Sequence, residues 1–235
     1  MSVMEWFTNF PKHYHLKPDD TGAEEAAFIR RILHLRKGQA VLDAPCGAGR
    51  ISVCLARAGM EITGVDLTPS YIQRARKRFR SEGYKGTFIV ADLREIDFTE
   101  QFDGAFNWQG SFGFFSEEDN LDVLCRYARS LRQGGRLVID QPSREWILRH
   151  FSAKGRNGDI EFTVRWKPEV ERTDTHFRDL KTGESWGMTI RHYTPAQYRR
   201  LFRQAGLVVE AFYCDLSARP FHRGARRIYV VGRKP

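Results

Sequence analysis

Short apolar segments alternate along the first part of the chain with longer segments whose apolar residues recur at helical spacing. The apolar segments predict strands at residues 40–43, 61–66, 87–91, 102–107 and 136–140. The amphipathic segments predict helices that begin near Thr21, Ile51, Thr68 and Ser116. Strands and helices in this order form a parallel sheet with helices on both faces. We therefore expect an α/β fold built on a doubly wound, Rossmann-like sheet.

The alternation fails between about Asp159 and Tyr193, where Thr, Val, Phe and Trp are frequent and no helical period is present. A break at Thr182-Gly183 is typical of a hairpin turn, so a small antiparallel β insertion is expected at about residues 155–193. A helix that begins at Thr194-Pro195 and two strands at residues 207–214 and 227–231 follow. Residues 1–20 are interpreted as an aromatic arm, and the whole chain, 1–235, as a single domain.

A glycine turn joins the first predicted strand to the helix after it. The turn contains Gly47 and Gly49, and glycine allows a ligand to approach the backbone N–H groups at the start of a helix. A plain tight turn explains the two glycines equally well. The turn alone is therefore only a weak indication of a nucleotide-like ligand.

Three successive strands end in acids, at Asp43, Asp66 and Asp92. The carboxyl ends of parallel strands share one edge of a sheet, where ligands bind. These carboxylates suit a cationic amine, the two hydroxyls of a ribose and an adenine amino group, respectively. S-adenosylmethionine carries all three groups and no phosphate. Each acid alone is better explained by a loop or helix-capping role, but three beside a glycine turn favour a ligand.

A dinucleotide such as NAD fits less well. The dinucleotide-binding pattern has a third glycine where this chain has Ser52, and Asp43 would lie unfavourably close to a pyrophosphate. A nucleotide-binding protein of that kind stays as an alternative.

Four segments then resemble, in order and spacing, the motifs of the class I S-adenosylmethionine-dependent methyltransferases. These segments are Val41–Arg50, Thr63–Leu67, Ala91–Leu93 and Gly134–Leu137. The resemblance implies a seven-stranded, mostly parallel sheet whose last strand is antiparallel. It also implies that S-adenosylmethionine is the cofactor and S-adenosylhomocysteine the product. The expected cofactor contacts are Asp43, Cys46, Gly47, Gly49, Arg50, Asp66, Leu67, Asp92, Leu93, Asn107 and Trp108.

Within that class, the β insertion is most similar to that of enzymes that methylate small molecules, which implies a small-molecule acceptor methylated at nitrogen rather than oxygen. The insertion is expected to cover the acceptor. Trp108 and Phe112 follow the fourth strand and are candidates for the wall near the transferred methyl group, with a core position as the alternative.

Further candidates come from the end of the insertion and from the arm. Alternation in the strand from Met188 to Tyr193 places Arg191 and Tyr193 on a polar face, so we expect them to contact the acceptor. His192 is a candidate base, and Tyr14 of the arm a candidate lid over the cofactor, unless the arm packs permanently on the sheet. His13 and His15 are weaker candidates.

The positive net charge of the chain supports one alternative function. The formal net charge is +9, and the stretch Leu216–Pro235 contains basic residues and no acid, which suits a phosphate or a carboxylate. An RNA methyltransferase is therefore an alternative. However, other basic residues are spread over three predicted helices, and Asn107-Trp108-Gln109-Gly110 stands where nucleic-acid amino-methyltransferases carry an Asn/Asp-Pro-Pro-Tyr/Phe motif.

The four cysteines show no metal-ligand spacing, which predicts a reduced, cytoplasmic protein without a metal site. No apolar segment approaches the roughly 20 residues of a membrane span, and the first ten residues do not resemble an export signal, so no membrane partner is expected.

Overall fold

The computed structural model describes residues 22–150 and 153–235. Its helices are α1 Ala23–Ile32, α2 Arg50–Arg57, α3 Pro69–Ser81, α4 Glu117–Ser130, α5 Arg144–His150 and α6 Pro195–Gln204. Its strands are β1 Ala40–Asp43, β2 Glu61–Asp66, β3 Thr87–Val90, β4 Phe102–Asn107, β5 Leu131–Pro142, β6 Lys154–Asn157, β7 Ile160–Lys167, β8 Arg172–Asp179, β9 Ser185–Arg191, β10 Val208–Tyr213 and β11 Arg227–Arg233. The expected start of α1 at Thr21 lies outside the described residues.

Seven strands form one sheet in the order β10-β11-β5-β4-β1-β2-β3. Strands β1 to β5 are parallel, and β11 runs antiparallel to both of its neighbours, β5 and β10. This arrangement confirms the predicted seven-stranded Rossmann-like sheet with an antiparallel last strand. Strands β1, β2 and β3 follow one another towards one edge of the sheet, and the chain then returns to place β4 on the other side of β1. The neighbours β1 and β4 thus lie at the point where the strand order reverses, which is where such folds bind ligands.

The core lies on both faces of the sheet because successive residues of a strand point in opposite directions. On one face Val41 and Phe106 join the apolar residues of α1, α2 and α3. On the other face Leu42 and Ala105 join those of α4 and α6. All four side chains are fully buried, which explains why the central strands are continuous apolar segments in the sequence.

The helices after β2, β4 and β9 begin where the sequence places caps. Thr68 precedes Pro69 at the start of α3, and Ser116 accepts a hydrogen bond from the Asp119 N–H at the start of α4. Thr194 and Gln197 form a capping box at the start of α6. These local signals explain why the predicted helix starts agree with the structure.

Two features differ from the sequence prediction. Helix α5 was not predicted, because none of its side chains is buried and it therefore lacks an apolar stripe. Strand β5 begins at Leu131 rather than Arg136, and its pairing with β4 is interrupted by a register shift before Gly104. The shift takes up the Gly134-Gly135 turn that the sequence places before the strand.

The predicted β insertion is a separate antiparallel sheet in the order β6-β7-β8-β9. Phe162, Phe177 and Trp186 are cross-strand neighbours on one face, and the rings of Phe177 and Trp186 stack with centroids 5.7 Å apart. The turn between β8 and β9 contains Gly183 with φ +74°, a conformation that favours glycine. The predicted hairpin position is therefore confirmed.

The contact between α6 and the antiparallel strand gives a stability prediction. Phe202 of α6 is fully buried over Gly232 of β11, where an added Cβ would lie 2.4 Å from its ring. Replacing Phe202 with Ala leaves a cavity and should lower the free energy of unfolding by about 3–5 kcal/mol in urea denaturation. Val208→Ala is the matched control, because that side chain is 52% exposed and should change stability by no more than about 0.5 kcal/mol. Equal effects of the two variants would contradict this packing.

Candidate functional site

Asp43, Asp66 and Asp92 lie at one edge of the sheet, at or just beyond the carboxyl ends of β1, β2 and β3. These strands are direct neighbours, so the sequence expectation that the acids share an edge holds. All three residues are buried, with relative exposures of 1%, 7% and 7%. Their carboxylates nevertheless have different hydrogen-bond partners, so the three acids differ in their pKa shifts and in the ligand groups that they can bind.

Asp66 connects two turns. Its Oδ2 accepts a hydrogen bond of 2.8 Å from the Gly47 N–H, and its Oδ1 accepts one of 2.9 Å from the Thr68 N–H. Burial raises the pKa of Asp66, although the two backbone donors oppose this shift. The carboxylate therefore holds the glycine turn after β1 against the turn that starts α3.

Asp43 carries an oxygen with no partner. Its Oδ2 accepts a hydrogen bond of 2.6 Å from the Ser52 hydroxyl, whereas its buried Oδ1 accepts none from residues 22–150 and 153–235. Burial raises the pKa of Asp43 to about 8, and the nearby charge of Asp66 adds to this effect. A buried carboxylate oxygen without a donor is a favourable place for a cationic group, which would stabilise the ionised form.

The two glycines of the turn serve different purposes. Among the residues that the structure describes, none lies within 4 Å of a Cβ added to Gly47, so the space beside this residue is open in that part of the chain. A Cβ added to Gly49 would lie 3.1 Å from the Cβ of Ala75, so Gly49 allows α3 to pack closely. Both have positive φ angles, +53° and +71°. Only Gly47 therefore offers backbone surface to a ligand on the side where its Cβ is missing.

The other residues expected around the turn lie close to it. The buried Cys46 donates its N–H to the Val65 carbonyl at 2.8 Å, and burial raises the pKa of its thiol. Arg50 begins α2 and forms an ion pair with Glu25 of α1. Leu67 follows Asp66 and is half-buried.

The Asp92 carboxylate is hydrogen-bonded to Arg94, two residues further along the chain. Both of its oxygens accept hydrogen bonds from the Arg94 guanidinium, at 3.1 and 2.7 Å, and Oδ1 also accepts the Arg94 N–H at 2.9 Å. Burial raises the pKa of Asp92, but the hydrogen bonds and charge of Arg94 outweigh it and lower the pKa overall. Leu93, beside it, is buried. An adenine amino group would therefore share the Asp92 carboxylate with Arg94.

Trp108 lies in the core at the end of β4. Its indole N–H donates to Glu25 at 3.3 Å, and its ring packs against Phe28 of α1 and Tyr229 of β11, with centroids 6.1 and 5.4 Å away. These contacts favour the core position over the wall of a methyl-transfer site. The preceding Asn107 is fully buried, and its Oδ1 has no partner.

Phe112 and Tyr193 also lie in the core. Their ring centroids are 5.8 Å apart, and both side chains are 2% exposed. The Tyr193 hydroxyl accepts a hydrogen bond from Asn120 of α4 at 3.2 Å. The structure gives these residues a packing role where the sequence indicated acceptor contacts.

Arg191 connects the insertion to the rest of the domain. Its Nε donates to Glu117 of α4 at 2.7 Å, and a terminal nitrogen pairs with Glu171 between β7 and β8. Its other terminal nitrogen donates to the backbone carbonyls of Glu171 and His192, at 3.3 and 2.8 Å. The guanidinium is thus occupied by protein groups, which is a different role from the expected acceptor contact.

His192 is buried and neutral at physiological pH. Burial lowers its pKa to about 4, and the charges of Arg191, Arg144 and Arg172 act in the same direction. Its Nε2 lies 2.8 Å from the Thr173 hydroxyl, and its buried Nδ1 has no partner. The imidazole is therefore a weak base.

One acid at the same edge was missed. Asp140, near the end of β5, is 2% exposed, accepts the Gln109 N–H at 2.9 Å and pairs with Arg227 of β11 at 2.5 Å. Burial raises its pKa, although Arg227 opposes the shift. The rule that selected the first three acids would also have selected this one, because the predicted fifth strand ends at Asp140.

A cavity of about 660 Å³ lies on the insertion. Phe114, from the loop after β4, lines it together with residues of β7, β8 and β9, among them Phe162, Trp186 and Asp174. This volume lies within the range of small-molecule pockets, roughly 300–1,000 Å³.

Residues 22–150 and 153–235 lack two features. Within these ranges no helix is long and apolar enough to cross a membrane. The same residues contain no group of His, Cys, Asp and Glu side chains arranged to hold a metal ion.

Comparison with known proteins identifies the kind of domain that residues 41–135 form. Residues 41–135, which contain the glycine turn and all three strand-terminal acids, match the family described as a methyltransferase domain. The CcbJ methyltransferase from Streptomyces caelestis has the same fold, with a TM-score of 0.77, 18% identity, and coverage of 99% of this chain and 96% of that one. The chain therefore contains a methyltransferase domain, and its fold is that of the class I S-adenosylmethionine-dependent methyltransferases.

Two further relatives show the range of this fold. The sugar N-methyltransferase KedS8 from Streptoalloteichus has a TM-score of 0.65 at 21% identity, over 99% of this chain and 93% of that one. The S-adenosyl-L-methionine-dependent Diels-Alderase iccD from Talaromyces variabilis is 31% identical over 117 residues, 48% of this chain and 39% of that protein. This methyltransferase chain therefore spans less than half the length of that curated relative.

The residues present fit the cofactor of the class. The unpaired Asp43 Oδ1 suits an ammonium group, and the open space at Gly47 admits an amino-acid moiety against the backbone. Tyr14, the candidate lid, lies outside the described residues, as do His13 and His15.

The contacts of Arg191 predict a structural phenotype. Arg191→Ala should lower the free energy of unfolding by about 2 kcal/mol, because Glu117 and Glu171 each lose one of two arginine partners and the Glu171 and His192 carbonyls lose a donor. The affinity for S-adenosylhomocysteine, measured by calorimetry, should not change. Arg178→Ala is the control, since this exposed arginine of β8 forms no ion pair in the described structure and should have little effect. Wild-type stability of Arg191→Ala would contradict the structural role.

Proposed function

We propose that this chain binds S-adenosylmethionine at the carboxyl edge of β1, β2 and β3 and methylates a small-molecule acceptor. The observation that carries the proposal is the buried Asp43 oxygen without a partner among the described residues, at the end of the strand that leads into the glycine turn with its open position at Gly47. The family match over residues 41–135 supports it.

Each acid has a proposed role. Asp43 holds the ammonium of the amino-acid end. Asp66 holds the ribose hydroxyls, because a carboxylate offers about four lone-pair sites and two backbone N–H groups use only some of them. Asp92 and the Leu93 backbone receive the adenine, with Arg94 keeping Asp92 ionised.

When bound by Asp43, Asp66 and Asp92, the cofactor would supply a methyl group activated by its sulfonium, and transfer of that methyl to an acceptor lone pair would leave S-adenosylhomocysteine. The protein's task is to align the acceptor and exclude water. Apolar side chains at the carboxyl end of β4, including the buried Trp108 and Phe112, keep this region dry. We propose no covalent role for any side chain.

We propose nitrogen as the acceptor atom. A hydroxyl acceptor needs a base, whereas an amine that arrives unprotonated needs none. His192, the base considered for an oxygen acceptor, has a pKa lowered to about 4 and already contacts Thr173. The similarity to a protein named a sugar N-methyltransferase agrees with this choice. A cytoplasmic location stays a prediction.

The proposal is tested by a search for the acceptor. The protein is incubated with methyl-deuterated S-adenosylmethionine and fractionated metabolite extracts, and mass spectrometry follows the appearance of a trideuteromethyl group. We expect enzyme-dependent labelling of a small amine. Labelling confined to RNA in the same extracts would contradict the small-molecule assignment.

The raised pKa of Asp43 predicts how cofactor binding depends on pH. The ammonium requires an ionised Asp43, which below about pH 8 must first release its proton. The affinity for S-adenosylhomocysteine should therefore rise from pH 6 to pH 8, by up to about tenfold per pH unit, with proton release in calorimetry. Asp43→Asn should remove this dependence. Adenosine, which lacks the ammonium, is the control ligand, and pH-independent binding of S-adenosylhomocysteine by the wild type would contradict the assignment.

Asp66 gives a second binding prediction. Asp66→Ala removes the proposed ribose contact and the acceptor for the Gly47 and Thr68 N–H groups, and should cost roughly 1.5–3 kcal/mol of S-adenosylhomocysteine binding. Asp66→Asn keeps one carbonyl oxygen and should lose less. Unchanged affinity of Asp66→Ala in calorimetry would show that the ribose lies elsewhere.

A further inference from the structure

The basic residues near the C-terminus divide into two groups by their partners. Most are neutralised by an acid in ion pairs that join Arg219 to Asp215, Arg227 to Asp140, Arg233 to Glu210 and Lys234 to Glu100. In the part of the chain that the structure describes, no ion pair reaches Arg223 or Arg226. The positive charge available to a ligand is therefore concentrated in the loop between β10 and β11.

Helix α5 brings a third arginine to the same place. A terminal nitrogen of Arg149 donates to the Arg223 carbonyl, and its Nε donates to the Glu145 carbonyl at 3.1 Å. No carboxylate of the described residues pairs with Arg149, and the Glu145 carboxylate instead accepts the Ser143 hydroxyl at 3.3 Å. Arg149, Arg223 and Arg226 are all exposed, and we call them the basic face.

Aromatic contacts hold one member of the basic face in position. The Arg226 guanidinium lies over the Trp146 ring at 5.3 Å, and Trp146 stacks on His150 with centroids 5.0 Å apart. A guanidinium that rests on a ring keeps its N–H groups directed outward in its own plane. It therefore loses less conformational entropy when it binds an anion.

The basic face lies near the carboxyl end of β5. The Arg226 carbonyl accepts the Ser143 N–H at 2.9 Å, one residue beyond the end of β5. The adjacent Arg227 pairs with Asp140. The loop between β10 and β11 is thus bound to the carboxyl edge of β5, and β5 is the neighbour of β4, whose carboxyl end the proposed function keeps free of water for methyl transfer.

We propose that the basic face binds a phosphate or pyrophosphate group carried by the small-molecule acceptor. Guanidinium groups bind phosphate oxygens through paired, charge-assisted hydrogen bonds, and three without acid partners match a dianionic group. The inference rests on the proposed function for the identity of the ligand as an acceptor. The enzyme would then have a binding site for the acceptor's phosphate that is separate from the proposed cofactor site.

The test is calorimetric titration of inorganic pyrophosphate and of UDP, each with and without saturating S-adenosylhomocysteine. We expect saturable binding of both probes that weakens with added salt. The variant R149Q/R223Q/R226Q should bind at least about tenfold more weakly. The variant R149Q/R223Q leaves the Arg226–Trp146 contact intact and should lose part of the affinity. This double variant keeps the proposal testable if the triple variant does not fold.

The matched control is R74Q/K77Q/R80Q, which removes three exposed basic residues from α3 and should bind both probes as the wild type does. Absence of saturable binding to both probes, or equal loss in the control variant, would overturn the proposal. Tight RNA binding through the same arginines without UDP binding would also overturn it. UDP binding without S-adenosylhomocysteine binding would support the anion site and contradict the proposed function.

Discussion

The carboxylate of Asp66 joins the two turns on which the rest of the site depends. It accepts one N–H from the glycine turn after β1 and one from the start of α3, at 2.8 and 2.9 Å. Because β1 and β2 are neighbours, these two bonds fix the Gly47 backbone in the turn that follows Asp43, the last residue of β1. A preorganised cleft of this kind has its polar groups in place before a ligand arrives.

Ion pairing decides which charged residues are available for chemistry. Arg191 and Asp92 were both expected to contact a ligand, yet Arg191 is occupied by Glu117 and Glu171, and Asp92 is shared with Arg94. Asp43 differs because its carboxylate accepts a hydrogen bond from the neutral Ser52 hydroxyl and forms no ion pair within the described part of the chain. A cationic ligand at Asp43 therefore supplies what the protein does not, whereas a ligand at Arg191 would have to displace an existing pair.

Much of the fold was predictable because its signals are local. Buried parallel strands are continuous apolar segments, and the caps at Ser116 and Thr194 mark helix starts. Partners distant in the chain were not predictable: alternation places Arg191 on a polar face but does not show that Glu117, in α4, occupies it. Trp108 similarly lies in the core because Phe28 and Tyr229 pack on it. Helix α5 has no buried face and hence no periodic signal.

The central claim is that this edge of the sheet binds S-adenosylmethionine rather than a dinucleotide. Thermal unfolding with S-adenosylhomocysteine or NAD tests it most directly, since a ligand that binds only the folded state stabilises it by an amount that grows with the logarithm of the ligand concentration above Kd. The account predicts a concentration-dependent increase with S-adenosylhomocysteine and none with NAD. An increase with NAD alone would contradict it.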